Sequence, residues 1–242
     1  MICTGENTLG TKVRSLVTGA GGFIGNHLVS HLRAQGYWVR GVDLKPPEFC
    51  ASDANEFELL DLRRWEDCLR ATSDVDEVYA LAAGSGEMGS SSADQSRISH
   101  DNYLINLHCI EAARHNHVTR YLYASSTAIY SPYQHSSPDD VPHEEASDYP
   151  LIHQDAYRWA NLMIEPLCIR YRRDYGLETR IVRVDDVFGP VGSWYDGREK
   201  APTALCRKIA AAQLEGLHEI EVSGAGEQTG SFCYIDDCVA GL

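Results

Sequence analysis

Apolar positions along this chain recur with two alternating periods. Val13 to Thr18 is a short apolar run that stops at a glycine cluster, which predicts a buried strand. Ile24, Leu28 and Leu32 then fall on every fourth position and Gly36 closes the segment, so a helix follows. Trp38 to Val42 is a second apolar run and ends at Asp43. Strand, tight turn, helix, strand is a βαβ unit, which requires a parallel pair joined by a right-handed crossover.

The alternation continues. Glu77 to Ala83 reads as a strand, Ile98 to His115 as a helix and Thr119 to Ala124 as another strand. Gln154 to Tyr175 reads as a long helix that Pro166 should kink or deprive of one bond, and Thr179 to Val184 is a further strand. This repetition predicts an α/β fold of Rossmann type, a doubly wound parallel sheet. Between Arg120 and Arg158 there is no lysine or arginine, and SPYQHSSPDDVPHEEASDYP within that gap is proline-rich and acidic. It is expected to be a loop, either a solvated excursion or a rim over the ligand cleft.

Composition narrows the partners. The chain has 242 residues, 43% hydrophobic and 23% charged, enough for one globular domain or one and a half. A net charge of -14 argues against a nucleic acid, because phosphate backbones need clustered Lys and Arg. A small diphosphate needs only a local positive pocket. No apolar run reaches the length of a membrane span and MICTGENTLGTK is no secretory signal, so a soluble cytoplasmic protein with a loose tail over 1–12 is expected. The eight cysteines are scattered without a CxxC pair and read as reduced core thiols. The ten histidines form no HExxH, and His115 and His117 sit at a helix end, so no metal is expected.

Chemistry enters at TGAGGFIG, which spaces Gly19, Gly22 and Gly25 as GxxGxxG with Phe23 and Ile24 between them. The first glycine permits the tight turn, the second lets backbone approach a pyrophosphate, and the third brings helix against sheet. The helix start offers free N–H groups and a positive dipole end to that phosphate. Asp43, at the end of the next strand, would accept hydrogen bonds from the adenosine ribose and repel a 2′-phosphate. NAD is favoured over NADP, with Lys45 close by as the feature on the other side.

With TGAGGFIG, LAAG, SSTAIY and DAYRWAN in this order, the chain resembles the extended short-chain dehydrogenases/reductases, the NAD-dependent nucleotide-sugar epimerases and dehydratases. DLRRWEDCLRAT, CIEAAR, GREKAPTALCRK and YIDDCVAGL make the GDP-mannose 3,5-epimerases the nearer resemblance, over roughly 13–242. It implies NAD as cofactor and a GDP-mannose-like nucleotide sugar as substrate. Tyr157 would take a proton from a sugar hydroxyl, and Ser126 would bind the same hydroxyl. Asp61 and Leu62 would border the adenine, while Leu81, Ala82 and Ala83 would line the cofactor's second half. Oxidation at C4 acidifies the C3 and C5 hydrogens, so paired acid and base groups can invert those centres. Lys200 is one such group, and Lys208 would help hold the diphosphate. The resemblance also implies a homodimer through helices at about 98–115 and 154–175. It divides the chain into an NAD-binding domain over 13–186 and a partial substrate lobe over 187–242. Family members continue past the matched stretch, so the sequence is either a fragment or has a reduced sugar site.

Four positions depart from the family pattern. Asn161 stands where a lysine would favour tyrosinate at Tyr157; an ammonium about 4 Å away is worth roughly 4 kcal/mol at an effective dielectric near 20. Asn161 is neutral but can still hydrogen-bond the nicotinamide ribose. Ala128 replaces the cysteine that serves the opposite face of the sugar, and inversion needs a group on each face. Asp186 replaces an asparagine, and Gly230 an arginine that would clamp the diphosphate. Three readings result: a slow nucleotide-sugar epimerase, an NAD-binding protein without turnover, and an NAD-dependent sugar dehydratase or reductase.

Overall fold

A computed structural model of the chain describes residues 12–84, 92–130, 156–195, 199–222 and 230–242, with the side chains of 92–95 and 156–157 left out of account. The first βαβ unit is β1 (Arg14–Thr18), α1 (Phe23–Ala34) and β2 (Trp38–Asp43). It is followed by β3 (Glu56–Leu59), α2 (Trp65–Ala71), β4 (Glu77–Ala80), α3 (Ser92–His115) and β5 (Arg120–Ser126). A 3-10 turn at Thr127–Ile129, α4 (Ala156–Tyr175) and β6 (Glu178–Val184) complete the main sheet. Six strands lie in the order β3-β2-β1-β4-β5-β6, with every neighbouring pair parallel. The order reverses between β1 and β4, and in such sheets the crevice at the strands' carboxyl ends at this point takes the ligand.

Successive strand residues point to opposite faces, so the apolar runs feed two cores. Leu16, Val42, Val78 and Tyr121 pack with Cys68, Ile110, Ile164 and Cys168 of α2, α3 and α4. Val17 and Val39 pack on the other face with Leu28, Val29 and Leu32 of α1. Each such side chain, buried fully, contributes about 1.5–3 kcal/mol.

β3 and α2 were beyond the apolar pattern. β3 reads EFEL, and its acids satisfy a buried arginine: Arg40 lies 3.0 Å from Glu56 and 3.7 Å from Glu58. The same guanidinium donates to the carbonyls of Ala71 and Ser73 at 3.0 and 2.7 Å, closing the end of α2. Elsewhere the boundaries move: α3 starts six residues before Ile98, β4 stops three short of Ala83, and β5 runs on to Ser126. α4 is unbroken through Pro166, whose exposed position puts the missing N–H on the solvent side. The tail at 1–11 and the acidic stretch at 131–150 lie outside the described residues.

Past β6, β7 (Asp186–Phe188) and β8 (Phe232–Tyr234) form a two-stranded parallel sheet. Between them α5 (Ala201–Glu215) starts with Pro202 in its first turn and ends at Gly216, φ 71°. After β8, α6 (Ile235–Gly241) packs Ile235 and Cys238 with Val187 against Phe23 and Ile24. The segment past β6 is thereby seated on the start of α1.

Candidate functional site

The turn between β1 and α1 is built by three different steric demands. Gly19 has φ +70°, and a Cβ there would lie 3.0 Å from Ala82 N and Leu81 C, across the switch point. A Cβ at Gly25 would lie 2.1 Å from Gly19 O, so the helix closes on the turn only with glycine there. Gly22 is different: its φ of -85° suits any residue, and a Cβ would meet only Gly19 O, at 3.2 Å. The space beyond that missing Cβ is open cavity. Gly22 is the N-cap of α1 with no side-chain cap and no acidic residue in the first turn, which leaves first-turn N–H groups for an anion.

Around this turn lies a cavity of about 640 Å³, of the size that takes a dinucleotide-class ligand. Asp43 lines it and orders its neighbours: Gly21 N donates to Oδ2 at 2.9 Å, and Leu44 N and Lys45 N donate to Oδ1 at 2.7 and 3.3 Å. A carboxylate accepts about four hydrogen bonds, so capacity remains for a ribose hydroxyl. The opposite wall is Leu81 to Gly84. Leu81 N and Ala82 N both donate to Thr18 Oγ1 at 3.1 Å, and Gly84 N donates to Asn102 Oδ1 at 2.6 Å. These bonds fix as a shelf what the apolar pattern took for the end of a strand.

Of the expected cofactor residues, Gly19, Gly22, Phe23, Asp43, Asp61, Leu62, Leu81, Ala82 and Ala83 line the cavity. Ile24 and Gly25 do not; Ile24 packs with Val187, Ile235 and Cys238, and Gly25 lies against the turn. Asn161 is buried and its Oδ1 accepts from Tyr123 Oη at 2.9 Å; it borders a small second cavity that shares Ala82 and Ala83. Tyr157 falls in the first turn of α4, and its side chain lies outside the described residues. Ser126 lines neither cavity; its Oγ accepts from Ala128 N at 3.1 Å and caps the 3-10 turn.

Lys200 also lines the cavity, and its Nζ lies 2.5 Å from Asp186 Oδ1, each side chain 48% exposed. The departure at 186 thus meets the cation at 200. Lys208 lies off the cavity and donates to Glu221 O at 2.7 Å. Asp185 accepts from Thr127 Oγ1 at 3.1 Å and from Ser231, tying the 3-10 turn to β8. At Gly230 a Cβ would meet only the Phe232 ring at 3.5 Å, so space does not demand a glycine.

Several lining residues carried no sequence signal. Val191 takes φ 63°, a left-handed conformation that costs a β-branched residue about 1–2 kcal/mol, and so forms part of the cavity wall. Tyr195 Oη donates to Glu48 Oε1 at 3.3 Å, joining the segment after β7 to the loop after β2. Arg63 donates to Asp61 and Asp101, contacts that chain order does not announce. The Arg63 guanidinium holds the Asp61 carboxyl below its ordinary value of 3.8. Among the described lining residues acids outnumber bases: Asp43, Glu48, Asp61, Asp101 and Glu199 against Lys45, Arg63 and Lys200. Such a balance disfavours an additional phosphate group. Among the described residues no group of His, Cys, Asp and Glu could hold a metal, and no helix is long and apolar enough to cross a membrane.

The model of a family described as "NAD dependent epimerase/dehydratase family" matches residues 15–242. GDP-mannose 3,5-epimerase of Arabidopsis thaliana is 42% identical over 228 residues, covering 93% of this chain and 59% of that protein. GDP-mannose 3,5-epimerase 1 of Oryza sativa subsp. indica is 41% identical over 233 residues, covering 96% and 60%. This chain therefore spans about 60% of the length of these curated relatives. Among solved structures, the NAD-dependent NDP-hexosamine 5,6-dehydratase TunA superposes with a TM-score of 0.75 at 28% identity, covering 95% of this chain and 71% of that one. Epimerase Mth375 from Methanothermobacter thermautotrophicus gives a TM-score of 0.79 at 24% identity, covering 95% and 66%, and supports the fold alone.

Proposed function

The chain belongs to the NAD dependent epimerase/dehydratase family, and on that basis we propose that it binds NAD in this cleft and acts as a slow epimerase on a GDP-mannose-like nucleotide sugar. The observation that carries this reading is one cavity that Gly19, Gly22, Asp43, Leu81 to Gly84 and Lys200 line together. The glycine turn and a cation thus share one cleft. NAD held there would supply a hydride acceptor for C4 oxidation and, as NADH, would return that hydride in the closing reduction.

The chain's residues divide the remaining work. Gly22 and the start of α1 take the pyrophosphate, Asp43 the adenosine ribose, and the Leu81 to Gly84 shelf the nicotinamide half. Tyr157 accepts the proton of the C4 hydroxyl, with Ser126 as its hydrogen-bonding partner. Asn161 supplies no charge, so Tyr157 is a weaker base than with lysine beside it. Lys200 exchanges the proton at a carbon acidified by the C4 ketone. With Ala128 opposite, one face of the sugar has no matching group, so exchange outpaces inversion. Pairing of two copies through α3 and α4 is supported by Leu107, Trp159, Met163 and Ile169, which stand 44%, 41%, 58% and 60% exposed on those helices. The working compartment we assign is the cytoplasm.

A second reading, an NAD-binding protein without turnover, is favoured by one observation: Asp186 already engages Lys200 at 2.5 Å. Incubation with NAD and GDP-mannose in deuterated water separates the two. Ring deuterium without inverted sugar supports the one-sided site. Full inversion overturns the argument from Ala128, and no deuterium at all leaves the binding protein.

A further inference from the structure

Arg63 is a cation in the cleft wall with a donor on each of its three nitrogens committed to a carboxylate. Its Nε and Nη2 donate to the two oxygens of Asp61, both at 2.8 Å, and its Nη1 donates to Asp101 Oδ2 at 3.0 Å. Asp61 follows β3 and Asp101 stands on α3, so the guanidinium ties the two segments together. Guanidinium N–H bonds lie in the plane of the group, so these three bonds fix that plane and leave its faces unused. Among the described residues no aromatic ring lies over Arg63. The side chain is 39% exposed and lines the cavity beside Leu60, Leu62 and Ile105.

We propose that Arg63 is a positioning residue for NAD: its face is the plate on which the adenine ring stacks, held flat by Asp61 and Asp101. The inference rests on the reading that this cleft holds NAD. Two properties separate it from a phosphate clamp. A clamp aims N–H groups at the ligand, and here three point to carboxylates instead. One guanidinium between two carboxylates is also a net negative group, which does not recruit a phosphate. What it offers is a delocalised cation beside apolar leucines, the surface on which a nucleobase stacks. Lysine, a point charge on a flexible stem, cannot present such a face.

Calorimetric titration of NAD into the intact chain and three variants tests this. Arg63→Ala is expected to weaken NAD about tenfold, and Arg63→Lys to behave like it, since a stacked base is worth roughly one to two powers of ten. Arg63→Tyr, which can stack but cannot form the ion pairs, should recover affinity to within about threefold of the parent. The ultraviolet change of the adenine on binding should weaken in the Ala and Lys variants and persist in the Tyr variant. The proposal is overturned if Arg63→Lys keeps parental affinity, or if Arg63→Tyr binds as poorly as Arg63→Ala. A parent chain that binds no NAD would instead overturn the cofactor reading beneath it.

Discussion

Two substitutions three residues apart in sequence should separate packing from binding at the glycine turn. In Gly25→Ala the new methyl carbon would lie 2.1 Å from Gly19 O, whereas ordinary contact begins near 3.4 Å. The start of α1 must retreat by about 1 Å from a backbone that cannot rotate away, so the cost sits near the top of the usual overpacking range, about 3 kcal/mol. For a chain of this size that lowers Tm by roughly 6–12 °C, and NAD binding falls with it. In Gly22→Ala the nearest atom is Gly19 O at 3.2 Å and the backbone is already extended, so stability should change by less than about 1 kcal/mol. Its methyl nevertheless occupies the place kept for the diphosphate, and NAD affinity should drop at least about tenfold. Thermal melts monitored by circular dichroism, with and without NAD, read both quantities. A Gly22→Ala protein that binds NAD like its parent would refute the claim that this turn cradles a diphosphate.

Three further outcomes follow from the site's geometry. Asp186→Asn should leave stability within about 0.5 kcal/mol, because the pair with Lys200 is half exposed. It should tighten GDP-mannose binding several-fold, more at low salt than at high, in fluorescence or calorimetric titrations. Asp61 has its carboxyl lowered by the Arg63 hydrogen bond, so its contribution to stability is complete above the ordinary value of 3.8 and is lost as pH falls through the lower folded value. Carboxyl titration by NMR should place its midpoint below 3.8 in the parent and move it upward in Arg63→Ala. Val191→Gly should relieve the left-handed strain without lowering Tm, yet weaken NAD by removing part of the cavity wall, a split that melts and titrations together detect.

The main sheet was legible because its strands are apolar runs cut by glycine, and a doubly wound parallel order follows from their alternation with amphipathic helices. β3 was not, since its glutamates face a buried Arg40 that lies far enough away in sequence to leave no periodic trace. α2 has seven residues, too few for a helical period to declare itself. The glycine turn and Asp43 could be read in order along the chain, because a βαβ unit brings them together by necessity. The sites of Arg63, Asp101, Glu48 and Val191 could not, since each depends on a contact between segments that the period of neither one encodes. Asp186 was legible as a departure, but its meeting with Lys200 required β7 and the start of α5 to be placed in space.

Titration of NAD, and separately NADP, into the intact chain by calorimetry tests the central claim most directly. Saturable binding of one NAD per chain, with NADP clearly weaker, is the predicted result. Absence of heat and of any thermal shift with NAD, or tighter binding of NADP, would contradict a cleft organised by Gly22 and Asp43.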